Sequence, residues 1–287
     1  MKAVTVALSV FSTALVASLA ATEYGNLPEE PASWIAGSYE APVRIDAGGG
    51  RHPEVSIHEL DTLITVLYLP SDAFDAAAAL NVIWTRLAFS GIDHDDLDLY
   101  QVMLPVDLLL KADPWNWWIN VTPGLFSDLD RVTGDDYRTL LHGAVLYRSG
   151  PHLQWGLGLG YDRVLGEDRV YPLGGFVWDN GWDLRLNALL PELRLEWAPS
   201  RSWLAYLQVQ PAGGVWHVRD AGSEYDLKIE GFRIYGGGEM CIAPHVWLQA
   251  GTGLTAFRNY ELKEKGGNRI DSDAEEAWFA RVALLLR

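Results

Sequence analysis

A single cysteine, Cys241, stands in a chain of 287 residues, so no internal disulfide can form. Stability must come from packing or from backbone pairing. After the first twenty residues no run of eighteen apolar residues occurs, so no inner-membrane helix is expected there. Positive charge is scarce: 22 Lys and Arg stand against 38 Asp and Glu, a formal net charge of -16. Nucleic acid is thereby set aside as a partner, because neutralising its backbone takes a basic surface. The acidic excess suits a surface that meets divalent cations, although most of these acids are read as solvating loops. Pro- or Ser-rich linkers are missing too, so the main body reads as one domain.

What is present begins with residues 1–20, MKAVTVALSVFSTALVASLA, where Lys2 precedes a short apolar core and Ser18 and Ala20 are small. That pattern is expected of a secretory signal peptide. Residues 21–32 read as an extended periplasmic tail, and 33–287 as the folded domain.

The dominant period is two, the mark of strands with unlike faces. In HLQWGLGLGYDRV (152–164), Leu153, Trp155, Leu157, Leu159 and Tyr161 share one face, while Gln154, Gly156, Gly158 and Gly160 share the other. Trp115, Trp117, Ile119 and Val121 alternate with Asn116, Trp118, Asn120 and Thr122. Thirteen strand candidates result: 33–46, 53–69, 78–90, 96–109, 115–123, 137–149, 152–163, 169–178, 183–197, 202–217, 226–241, 245–259 and 275–286. Many fit the ~9–11 residues that a transmembrane strand needs.

Two architectures accommodate them, a soluble all-β sandwich or barrel and a closed antiparallel transmembrane β-barrel. The glycine face of 152–160 favours the second, since it makes a poor solvated surface but suits a crowded or water-filled lumen. Aromatics near strand ends, among them Trp34, Tyr147, Trp178, Trp197 and Trp203, fit rings seated at lipid headgroups. Leu153, Trp155, Leu157, Leu159 and Tyr161 are then expected to face lipid. A bacterial single-chain barrel takes an even strand number. Leaving 33–46 outside the wall gives twelve, and splitting LRLNALLPELRLEW at Pro191, which cannot donate to a ladder, gives fourteen. Twelve is the expectation, within a range of 10–14.

Charges inside the strand candidates should point inward, because Arg at mid-depth on a lipid face costs ~2–4 kcal/mol. Arg86, Arg138, Arg148, Arg185, Arg194, Arg233, Arg281, Glu196 and Glu230 are therefore the candidates for the lumen. Such an interior can close as a polar plug or line a narrow water path. The first predicts a structural or surface-binding barrel, the second a narrow passive channel for small solutes. His142 and His217 read as polar residues inside the barrel. No nucleophile elbow or HExxH motif occurs, so the chain is read as a non-enzyme, with a lipid hydrolase the distant alternative and no cofactor expected. Asp93, Asp95 and Asp96, beside His94, form a weak loop candidate for a hard cation.

Residues 168–209 carry a more particular pattern: Tyr171-Pro172 with Gly174-Gly175, then Trp182 and Leu184 leading to Pro191, then Leu195, Trp197 and a turn at Ser200. This stretch resembles a family of predicted bacterial outer-membrane β-barrel proteins catalogued as a domain of unknown function. The resemblance implies a Gram-negative outer membrane and a barrel, with no catalytic residues to transfer. Its expected partners are outer-membrane lipids, lipopolysaccharide and the barrel-assembly machinery. The chain departs from many such barrels in ending on Arg287 rather than on an aromatic residue.

Overall fold

Alternation of this kind extends the backbone, and in the computed structural model it does so in sixteen strands among the described residues. The structure describes residues 26–45, 53–91, 95–162, 169–220, 223–264, 267 and 269–287; the proposed signal peptide, Asp93 and His94 lie outside them. In chain order the strands are β1 (Ser33–Arg44), β2 (Glu54–Pro70), β3 (Phe74–Ser90), β4 (Leu97–Met103), β5 (Val106–Ala112), β6 (Trp115–Ser127), β7 (Tyr137–Gly150) and β8 (Leu153–Asp162). They continue as β9 (Arg169–Asp179), β10 (Leu184–Leu190), β11 (Leu193–Ser200), β12 (Trp203–Asp220), β13 (Ser223–Ala243), β14 (Val246–Glu264), β15 (Arg269–Ala274) and β16 (Ala277–Leu286). No helix among the described residues is long and apolar enough to cross a membrane.

Sequence neighbours pair antiparallel along one sheet, and β1 pairs with β16, β16 with β14, and β14 with β13. The path of paired strands therefore returns to where it began. β4 and β5 both lie between β3 and β6, one above the other, interrupted at Leu104-Pro105. β15 and β16 likewise share one side of β14. The sixteen segments thus occupy fourteen positions. The expected twelve is corrected on two grounds. Residues 33–44 are paired on both sides, and the chain between 184 and 200 reverses at Pro191, giving the short β10–β11 hairpin.

Two zones follow from which side chains are covered. Around the ends that hold Trp115, Tyr147, Trp155, Trp197 and Trp203, large apolar residues face outward and are exposed, while polar side chains such as Asp107, Asn120, Glu196 and Arg233 are buried inside. Trp115 meets Tyr147 at 4.5 Å, Trp155 meets Phe176 at 5.4 Å, and Trp197 meets Trp203 at 5.9 Å, so the rings form a girdle at this end. Toward the opposite end the polarity inverts. Val55, Ile57, Ile83, Leu87, Leu99, Met103, Phe126 and Leu140 pack inward around Trp216.

The inversion has a local cause in β12. Gly213 has φ +106, and a Cβ there would stand 2.1 Å from the carbonyl oxygen of Ile229. A left-handed backbone with no space beside it demands glycine. Beyond this bend Val215, Trp216, His217 and Val218 are all buried, so both faces of the strand are covered. Its tip bypasses β7 to β11 and meets β6 in a parallel bridge, His217 opposite Ser127. The β12–β13 hairpin thus leans across one end of the ring and supplies the apolar filling there.

Candidate functional site

The interior below that filling is a set of connected charges. Arg194 donates to Glu196 at 2.7 Å, to Gln208 at 2.8 Å and to Glu239 at 2.7 Å, and its guanidinium stacks 4.5 Å over Tyr206. Glu239 also accepts from Gln249 at 2.8 Å and from Arg287, so the terminal residue is turned inward rather than left in solvent. Arg185 lies 3.4 Å from both Glu196 and Glu30. Further round the ring Arg233 holds Glu40 and Glu59, and Arg281 reaches Asp61 at 3.3 Å. Asp61 accepts further bonds from Trp34 at 2.8 Å and Asn81 at 2.9 Å. Every one of these charges has a partner, as burial in a low-dielectric interior requires.

Among these charges lies a cavity of about 170 Å³ lined by Glu59, Asp61, Arg194, Arg233, Glu239 and Arg281 among others. Its roof is formed by Ala212 and Gly213, where β12 turns in, and Glu30 and Pro31 also line it. The segment ahead of β1 was expected as an extended periplasmic tail. Its residues 26–32 hydrogen-bond to the fold: Asn26 N–H donates to Trp182 O at 2.7 Å and Ala32 N–H to Leu286 O at 2.8 Å. Leu27 packs against the inward-facing Leu204, Tyr206, Tyr235 and Phe279. The cavity is therefore bounded by the hairpin on one side and this segment on the other.

A second interior region, flanking β5 to β9, is filled solid by Leu109, Trp118, Leu146 and Leu173. The glycine face of β8 belongs here. A Cβ on Gly160 would meet the Tyr171 ring at 2.4 Å, and one on Gly156 would meet Leu189 at 2.9 Å. Large neighbours lie across these glycines, so this part of the interior is crowded rather than open.

Of the residues singled out from sequence, Arg185, Arg194, Arg233, Arg281 and Glu196 converge on the charged cavity or its immediate network. Glu230 is buried and pairs with Lys228 at 2.7 Å, but strand alternation sets it on the face opposite the inward Ile229 and Arg233, so it does not join this network. The bulge opposite Glu230 and Phe232 places its extra residue in β14, at Phe257, so β14 changes parity while β13 does not. Arg138 is buried at the filled end, 3.8 Å from Asp226, and Arg148 is half-buried beside the 151–152 turn. Arg86 is placed otherwise. It alternates with the inward Thr85 and Leu87, lies on the outer face with 41% of its side chain exposed, and pairs there with Asp98 at 2.7 Å. It belongs to the inverted zone, where the inside is apolar and charge goes out.

On β8, Trp155, Leu157 and Leu159 point outward with 48%, 72% and 59% exposure, and Leu153 and Tyr161 on the same face are half-buried. Asp95 and Asp96 are exposed, and Asp96 accepts the Phe89 amide at 3.4 Å. Sequence reasoning missed Glu40, Glu59, Asp61, Glu239 and Arg258, all inward. The usable signal was a charged residue at the covered parity of a strand. For Arg258 it is hidden by Phe257, whose φ of +55 shifts the register.

No family model matches the chain and no curated protein matches it, so the resemblance of residues 168–209 has no counterpart there. Solved structures similar to it include an outer membrane channel from Pseudomonas putida F1, at 12% identity over 91% of this chain and 97% of that one, TM-score 0.38. The P. putida toluene transporter TodX is similar at 9% identity over 91% of each chain, TM-score 0.36. The NanC porin is similar at 8% identity over 89% of this chain and 100% of that one, TM-score 0.35.

Proposed function

We propose that the protein is a closed β-barrel of the Gram-negative outer membrane, of the passive-transport type, with a narrow passage for small polar solutes. One observation carries this reading: a returning ring of strand pairs has an exposed apolar girdle outside and a charge-lined cavity inside. Soluble monomers rarely expose contiguous apolar patches beyond a few hundred Å², whereas hydrocarbon accepts such a belt and a closed ring leaves no unpaired edge in lipid. The inverted zone then stands in water beyond the bilayer. The mixed charges of the cavity suit polar solutes, and no reaction is assigned to the protein.

A second reading, a non-conducting structural barrel, is favoured by the packed cluster around Trp216 on one side of the cavity and Leu27 on the other. Planar-bilayer recordings of the native protein, of Trp216→Ala and of a chain lacking residues 26–32 separate the two. Small discrete conductance steps that grow in either variant support transport. Silence in all three, with a detergent-dependent fold, leaves the structural barrel. A fold that persists without detergent overturns the membrane assignment altogether.

A further inference from the structure

At the filled end, outside the charged cavity, three side chains from separate elements converge. They are Asp135 of the loop between β6 and β7, His217 of β12 and Glu224 of β13, with one ligand atom from each lying within 4.8 Å of the others. We propose that they form a binding site for a divalent zinc-class cation.

The histidine decides the matter. It is 3% exposed, its Nδ1 lies 3.1 Å from Asp226 Oδ1, and its buried Nε2 has no hydrogen-bond partner. A carboxylate on Nδ1 fixes the tautomer with the proton there, leaving the Nε2 lone pair directed at the cluster. This is the outer-shell arrangement found behind metal-ligating histidines, where the carboxylate orients the ring and raises its basicity. Leaving a buried ring nitrogen unpaired is otherwise a cost with no return. Glu224 Oε2 is 3.8 Å from that nitrogen, and its other oxygen lies 3.5 Å from Arg219 Nε.

One imidazole and two carboxylates suit zinc better than calcium, which takes oxygen ligands throughout. A tetrahedral ion with ligands at ~2.0–2.2 Å needs its donor atoms about 3.4 Å apart. Small rotations of the exposed Asp135 and the half-buried Glu224 close the present spacing. Arg219 and Arg138 stand nearby, but Asp128, Asp136 and Asp226 add negative charge around them. A bound ion would fasten the β12–β13 hairpin to the β6–β7 loop, whether or not the barrel conducts.

The test uses the full protein, folded in detergent and stripped with EDTA, titrated calorimetrically with zinc chloride and spectroscopically with Co²⁺. The expected result is one zinc per chain and a visible cobalt band of low-symmetry coordination. Affinity should fall at least tenfold in Asp135→Asn and in Glu224→Gln, and further in His217→Gln. Because His217 is buried, the two carboxylate variants carry the comparison, with heat-modifiable gel migration reporting their fold. Zinc binding equal in the native protein and the Asp135→Asn, Glu224→Gln double variant overturns the site. So does calcium binding as tight as zinc with no cobalt band.

Discussion

Arg233 on β13 and Glu40 on β1 are 193 positions apart in the chain, yet their side chains meet at 2.8 Å inside the ring. Glu59 holds the same guanidinium at 3.0 Å, Arg258 approaches Glu40 at 3.3 Å, and the Phe279 ring lies 4.6 Å beneath Arg233. The pair links β13 to β1 past the two strands that separate them in the ring, β14 and β16, so it constrains the shape of the interior as well as its charge.

Breaking a buried ion pair from one side strands the other charge, which typically costs about 3–5 kcal/mol, while replacing both partners can be close to neutral. Glu40→Ala should therefore destabilise strongly, and Glu40→Gln with Arg233→Met should cost less than the two single changes summed. Equilibrium urea unfolding in phospholipid vesicles measures this. Additive losses would mean that the two side chains do not act as a unit.

The glycine face of β8 gives a second test. With its Cβ 2.4 Å from the Tyr171 ring, Gly160→Val must displace that ring and with it the 3.1 Å contact between Tyr171 Oη and His142 Nε2. Overpacking of this kind costs about 1–3 kcal/mol. Tyr171→Ala in the same chain should recover part of the loss, and a shift in unfolding midpoint reports both. Equal stability of Gly160→Val and the native protein would mean that the ring is not seated on this glycine.

How much of this was legible beforehand depends on how local the cause is. The outward face of Trp155, Leu157 and Leu159 follows from strict alternation, and Arg185, Arg194, Arg233 and Arg281 stand at the covered parity of their strands. The orientation of Arg86 was not legible. It depends on Trp216, 130 positions away in sequence, filling the ring near Ile83 and Leu87 and so reversing the rule that the lumen is the polar side. The strand count turned on Pro191, whose two readings, an interrupted strand or a hairpin, look alike in a pattern of period two. The site at His217 was hidden because its three ligands come from elements that meet only once β12 has bent at Gly213.

The two zones make opposite demands on a single arginine. Leu157 lies in the girdle zone and points outward, so Leu157→Arg should cost ~2–4 kcal/mol if that face meets the bilayer midplane. Ser56 also faces outward, between the buried Val55 and Ile57, but in the inverted zone. Ser56→Arg should stay within about 0.5 kcal/mol of the native protein, as for an ordinary wet surface. Unfolding free energies in bilayers provide the comparison. Equal costs at both positions would sink the division into a lipid-facing and a water-facing zone.

Asp136 sets the acid limit of the β6–β7 loop. Its side chain is buried, which alone would raise its pKa. Hydrogen bonds from the Thr133 backbone and side chain and from Ser127, together with the nearby Arg219 guanidinium, outweigh burial and hold the carboxyl below its ordinary value. A carboxyl whose folded pKa is depressed contributes stability that is fully present above its unfolded pKa, about 4, and lost as the pH falls through the lower folded value. Exchange protection of amides in 128–136 should therefore be flat from neutral pH down to about 4 and decline below it. Asp136→Asn should show the unprotected behaviour already at neutral pH, because it cannot take the charge that Arg219 and the Thr133 donors reward. Protection that stayed flat well below pH 4 would mean that this carboxylate does not hold the loop.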